Sequence, residues 1–230
     1  MIGLRELVVF DPTRSNPAVR ISYGQANFGK LLVIGESHYG GEEWARPDAT
    51  HNRIKAVLNG KNAAYFTKIA HIFQAETREF YSRIAFYNFI AAPLDRARQR
   101  ISIDDFKLDA DQRFLFSMVE NLLPDRILVT SERLWRVLPA RHPDAAEGIW
   151  RVSDDSSDLF VPFTSPDESE EEKRKSKECF WYRRADGGQC LVGAITHPSA
   201  GKFNGARNEI AEWVRRFMTY KEGGPERGTV

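Results

Sequence analysis

The chain predicts an α/β fold: a three-layer α/β/α sandwich around a central, mainly parallel four-stranded sheet. Three observations carry that expectation. Two apolar runs, Leu31-Leu32-Val33-Ile34 and Cys190-Leu191-Val192-Gly193-Ala194-Ile195, stop abruptly at the polar clusters Gly35-Glu36-Ser37-His38 and Thr196-His197-Pro198-Ser199. Short continuous apolar runs bounded by Gly or Pro read as buried parallel strands. Segments of helical periodicity lie between such runs, and strand alternating with helix over short connections is the pattern of an α/β domain.

The strand candidates are Leu31–Ile34, Ile84–Ile90, Arg126–Thr130 and Gln189–Thr196. A first helix, Ala63–Gln74, spaces Phe66, Ile69, Ala70 and Phe73 along one face. Asp109 can cap a second over Ala110–Leu123, with Phe114, Met118 and Leu122 turned inward. Ser131 can cap a short helix carrying Leu134, Trp135 and Leu138 up to Pro139. The last helix, about Ala206–Tyr220, should bury Ile210, Trp213, Val214 and Phe217 and leave Glu209, Glu212, Arg215 and Arg216 in water. The stretch 153–178, Ser- and Asp-rich and then densely charged, reads as a solvated insertion, and 222–230 as a disordered tail. A single domain over 1–221 follows.

Composition narrows the classes. At 230 residues with 42% hydrophobic side chains, the chain can fill a core without staples. Its 33 basic and 32 acidic residues nearly cancel, which argues against a strong non-specific coat on nucleic acid but leaves room for a local basic patch. No apolar stretch approaches the roughly 20 residues of a membrane span, and the N-terminus lacks signal-peptide architecture, so a cytoplasmic protein with no membrane association is expected. The two cysteines, Cys179 and Cys190, flank the turn-like Ala185-Asp186-Gly187-Gly188 and could face each other across two strands; free thiols are the expectation in a reducing compartment. Neither they nor the five His have metal-ligand spacing, so no metal or other cofactor is expected, nor any obligate protein partner.

In an open α/β sheet, ligands bind past the carboxyl ends of the strands. The residues at those ends are therefore the candidate site: Gly35-Glu36-Ser37-His38-Tyr39-Gly40, Phe86-Tyr87-Asn88-Phe89-Ile90, the run from Arg126 through Thr130-Ser131-Glu132-Arg133 to Pro139, and Thr196-His197-Pro198-Ser199. Asn88 is the one polar residue of its strand and costs energy there unless its amide is paired. Taken in order, these four strand ends resemble the uracil-DNA glycosylase superfamily. The resemblance spans roughly residues 31–220 and implies a glycosylase-like α/β domain. It also implies a monofunctional DNA glycosylase that flips a pyrimidine nucleotide and hydrolyses its N-glycosidic bond, with DNA as partner.

The resemblance implies roles residue by residue. His197 would donate to the base O2 and stabilise the departing anion. Glu36 would polarise water or stabilise the cationic sugar, with His38 a second candidate base; Glu36 could instead cap the following helix. Asn88 would read the base edge, or else satisfy neighbouring backbone. Tyr39 would guard the pyrimidine 5-position, and Phe66 would stack on the base unless it is simply core. Ser199, Lys202 and Arg207 would meet phosphates, and Phe203 would wedge into the duplex. Ser37 stands where many relatives have Asp or Asn, and His38 where Pro is usual. Gly40-Gly41 is a further departure. Uracil repair and removal of modified pyrimidines from phage DNA both fit. Two other functions stay open: a catalytically silent nucleic-acid-binding relative, and an esterase-like hydrolase, since Gly35-Glu36-Ser37-His38 loosely resembles the start of erythromycin esterases.

Overall fold

The computed structural model describes residues 18, 22–24, 26–39, 48–94, 109–139, 150–152, 179–184 and 186–220. Strands are β1 (Leu31–Tyr39), β2 (Ala85–Leu94), β3 (Arg126–Val129), β4 (Trp150–Val152), β5 (Phe180–Arg183) and β6 (Gln189–Ala194). Helices are α1 (Ala49–Leu58), α2 (Ala64–Ile72), α3 (Thr77–Arg83), α4 (Asp109–Leu122), α5 (Glu132–Val137), α6 (Gly201–Gly205) and α7 (Arg207–Thr219). The sheet order is β2-β1-β3-β6-β5-β4.

The four strands expected from sequence form the parallel block β2-β1-β3-β6, in that spatial order. Among the described residues the sheet has six strands where four were expected, because β5 and β4 extend it antiparallel beyond β6. Trp181 and Tyr182 of β5 are buried, and that run of aromatic residues beside a charged segment carried no alternation to mark it as a strand. The turn between β5 and β6 falls where Asp186-Gly187 predicted a hairpin, with Gly187 at φ 80°. Its register sets Cys190 opposite Tyr182, not opposite Cys179; both thiols are free and buried, and burial pushes the Cys190 thiol up to about 12.

Residues level with one another in parallel strands point to the same face. Val33, Phe86, Leu128 and Gly193 are level, and this face receives α2, α3 and α7. Tyr87 meets Phe114 of α4 on the other face, where Phe116 meets Tyr182 and Trp135 of α5 stacks on Phe180 at 5.0 Å. Those layers follow from pattern: α7 buries Ile210, Trp213, Val214 and Phe217, the four positions its periodicity selects. Ser131 caps α5 as expected, accepting the Leu134 N–H at 3.1 Å. Helices α1, α3 and α6 and strand β4 were not foreseen. Among the described residues no helix is long and apolar enough to cross a membrane.

Arg126 ties the last helix to the sheet. Its Nε donates to the Phe217 carbonyl at 2.9 Å and its Nη2 to the Tyr220 carbonyl at 2.8 Å, satisfying carbonyls that a helix end leaves open. Arg126→Met is expected to cost about 2–3 kcal/mol, the scale of hydrogen bonds to a charged donor. A urea melt checks it, and an unchanged midpoint would mean that α7 docks through its apolar face alone.

Candidate functional site

The parallel strands end together and the site stands on their rim. Ile34, Val129 and Ala194 are level, so Glu36, Ser131 and Thr196 follow as a row along the carboxyl edge. Strands β1 and β2 run on past this edge, with Gly35 opposite Asn88 and Ser37 opposite Ile90. A cavity of about 430 Å³ opens here, bounded by Glu36 and Ser37 of β1, Phe86 and Asn88 of β2, Tyr65 and Phe66 of α2, and His197. That volume lies within the roughly 300–1,000 Å³ of small-ligand sites. Glu36, Asn88 and His197, distant in sequence, thus line one space.

Asn88 is 6% exposed and its amide makes no hydrogen bond to the described residues. Its Oδ1 lies over Gly35, where a Cβ would come within 2.3 Å of it and within 3.1 Å of the Tyr65 hydroxyl. Only a residue without a side chain leaves Asn88 this place. Tyr65 and Thr130 hold the neighbouring wall: the Thr130 hydroxyl donates to the Ile34 carbonyl at 2.9 Å and so accepts from the Tyr65 hydroxyl at 2.6 Å. Phe66, 6% exposed, meets Tyr65, Tyr81 and Phe86 edge-on, with ring centres 5.1–5.3 Å apart. It is both core and cavity wall.

His197 follows β6 in a tight turn. The Ser199 N–H donates to its Nδ1 at 3.1 Å, so the neutral imidazole carries its proton on Nε2 and can donate from there. Burial holds the imidazole below its ordinary pKa; Glu36 draws it up, while Arg133 and Lys68 press it down. The neutral form therefore prevails at neutral pH.

Glu36 is buried, and its carboxylate is engaged. The Ser131 hydroxyl and Arg133 Nε, the latter at 3.2 Å, donate to Oε1, and Arg133 Nη2 donates to Oε2 at 2.7 Å. A carboxylate so paired has its oxygens engaged by fixed, partly charged donors. Ser131 was expected only as a helix cap and Arg133 was assigned no part, although the row Thr130-Ser131-Glu132-Arg133 marked a strand end. Arg53 of α1 and Asn62 of the following loop also line the cavity and were missed, since α1 itself was missed.

A second cavity of about 500 Å³ adjoins the first, sharing Glu36, His197 and Ser199 and adding Ser131, Glu132, Arg133, Thr196 and Lys202. Lys202, expected on a phosphate, ion-pairs with Glu132 at 2.6 Å, and Glu132 also accepts from the Thr196 hydroxyl at 2.7 Å. Ser199 and Arg207 are exposed, Arg207 opening α7. The wedge assignment of Phe203 is corrected: it is fully buried, the one apolar residue that short α6 turns into the core. His38 and Tyr39 belong to the end of β1, but their side chains lie outside the described residues, as do Gly40-Gly41, 153–178 and 222–230. Among the described residues no group of three or more His, Cys, Asp or Glu is placed to hold a metal ion. Neither protein-family models nor curated proteins provide a match to this chain.

Proposed function

We propose that the protein is a monofunctional DNA glycosylase that receives a flipped pyrimidine nucleotide in this cavity and hydrolyses its N-glycosidic bond, leaving an abasic site. One observation carries the reading: the buried Asn88 amide, with no hydrogen bond to the described residues, shares a cavity with a neutral imidazole whose Nε2 bears a proton. The amide opens on the cavity, where a ligand edge with one donor and one acceptor would pair with it. Uracil offers O4 and N3–H; with the amide turned over, cytosine offers N4–H₂ and N3. Tyr65, Phe66 and Phe86 supply aromatic walls for such a base.

When the bond from C1′ to the base breaks, its electron pair goes to the base and positive charge develops on the sugar. His197 Nε2–H stabilises the base anion at O2, and the paired Glu36 carboxylate opposes the sugar's charge. Water adds at C1′ and gives up a proton, for which His38 is the candidate acceptor. Uracil suits a repair role and a modified pyrimidine a defensive one against phage DNA.

Duplex and single-stranded DNA carrying uracil, hydroxymethylcytosine or glucosylated cytosine, incubated with the protein and then treated with alkali, tests the proposal. Scission at one of these bases is expected. The engagement of Glu36 by Arg133 favours a second reading, a silent nucleic-acid-binding relative, which would bind DNA and yield no scission with any base. Within the first reading, Asn88→Asp should shift base preference, because an ionised carboxylate accepts but cannot donate to uracil O4. The ratio of uracil to cytosine-derived excision should fall, at matched folding judged by melting; an unchanged ratio removes Asn88 as base reader.

A further inference from the structure

Lys68 lies about one turn along α2 from Tyr65, and its side chain leaves the aromatic wall for the turn that follows β6. Its Nζ donates to the Pro198 carbonyl at 2.8 Å and stands 5.7 Å from the centre of the buried Phe203 ring. The turn it grips is closed on itself: the Ala200 N–H donates to the His197 carbonyl at 2.8 Å, and the Ser199 N–H to His197 Nδ1. An ammonium on a carbonyl is a charge-assisted hydrogen bond, and the ring face adds a cation–π attraction. We propose that Lys68 is a positioning residue of the site: it clamps the turn His197-Pro198-Ser199 to α2, holding the imidazole against the wall formed by Tyr65 and Phe66. The effect on rate rests on the glycosylase reading; the clamp is a property of the protein alone.

The groups facing His197 are Tyr65 and Lys68 of α2, Glu36 of β1 and Arg133 of α5. Glu36 favours the imidazolium, and the two cations oppose it. Removing the ammonium therefore moves protonation of His197 to higher pH. That shift reports the nearness of the ammonium, and displacement of the turn's resonances reports the clamp itself.

The test is a substrate-free NMR titration of the imidazole and of the amides of 197–200 in the wild type, Lys68→Met and Lys68→Arg. The Met variant should raise the His197 midpoint and displace the turn's resonances, and the Arg variant, with donor and charge, should restore both. In excision assays the Met variant should lose about tenfold to a hundredfold in kcat with KM nearly unchanged, as a small misplacement of a reacting group does. A folded Lys68→Met protein with the wild-type midpoint and wild-type turn resonances overturns the proposal. Should that variant not fold, Lys68→Gln carries the same titration, and an unchanged midpoint together with wild-type turn resonances again overturns the proposal. Absence of excision in the wild type would defeat the glycosylase reading and leave this titration to decide the clamp.

Discussion

Replacing His197 with Ala is expected to lower single-turnover excision by about thirtyfold to a thousandfold, or about 2–4 kcal/mol in the chemical step, while DNA binding stays nearly intact. The imidazole donates from Nε2 because Nδ1 is occupied by the Ser199 N–H. Such a donor acts on charge that appears only as the bond breaks, so its loss falls on the rate and spares ground-state affinity. The pH profile supplies the sign. Because burial, with Arg133 and Lys68, lowers the His197 pKa against the pull of Glu36, the active neutral form is lost only on the acid side. Excision by the wild type should climb from acid pH and level off by about neutrality, with its midpoint below that of an ordinary imidazole. A rate that falls as pH rises through the acid range below about 6.5 would assign the work to an imidazolium. A wild-type rate in His197→Ala would remove this residue from the mechanism.

Gly35→Ala should be the most damaging substitution that adds no functional group. Its Cβ would stand 2.3 Å from Asn88 Oδ1, 3.1 Å from the Tyr65 hydroxyl and 3.4 Å from Phe86 Cζ, so Asn88 must leave its place. Base recognition should weaken by about 1–3 kcal/mol, the range for a buried polar group deprived of its partner. Gly193→Ala is the matched control. Gly193 lies level with Val33 on the same face of the sheet, but there a Cβ would meet Trp213 and Phe217 of α7 at 2.8 and 2.9 Å. Overpacking of that kind costs about 1–3 kcal/mol of stability with no direct effect at the rim. Urea melts and excision kinetics on both variants separate the two effects. Wild-type excision by Gly35→Ala, or selective loss of excision by a folded Gly193→Ala, would contradict the roles given to these glycines.

What was legible in the sequence is what periodicity and strand-end chemistry encode locally. Leu31–Ile34 and the run from Cys190 announce buried parallel strands because apolar continuity of that length has no other economical use. The inward face of α7 was legible because a helix must place one stripe against the core. Asn88 stood out because a lone amide among Phe86, Tyr87 and Phe89 needs a reason. Helices α1 and α3 were harder, since His51, Asn52 and Arg53 interrupt the first and α3 is seven residues, about two turns, whose buried face is only Phe80 and Tyr81. Strand β5 entered only as one of two strands across which Cys179 and Cys190 could face each other, not among the strands of the sheet.

By itself, then, the sequence determined an α/β chain with parallel strands, the rim on which polar residues gather, and His197, Asn88 and Glu36 as residues of that rim. The tertiary structure alone decided how those residues are used. Pairing of Glu36 with Arg133 and Ser131 depends on the order β1-β3 in space, which no local pattern states. Phe203 reads as an exposed wedge in a Gly-rich segment until α6 is seen turning it into the core. Lys68 is one more helical lysine until its ammonium is found on the Pro198 carbonyl, 130 residues away in the chain. Contacts of this kind are set by register and layer packing, which join residues remote in sequence; periodicity reports only which side of its own element each residue faces.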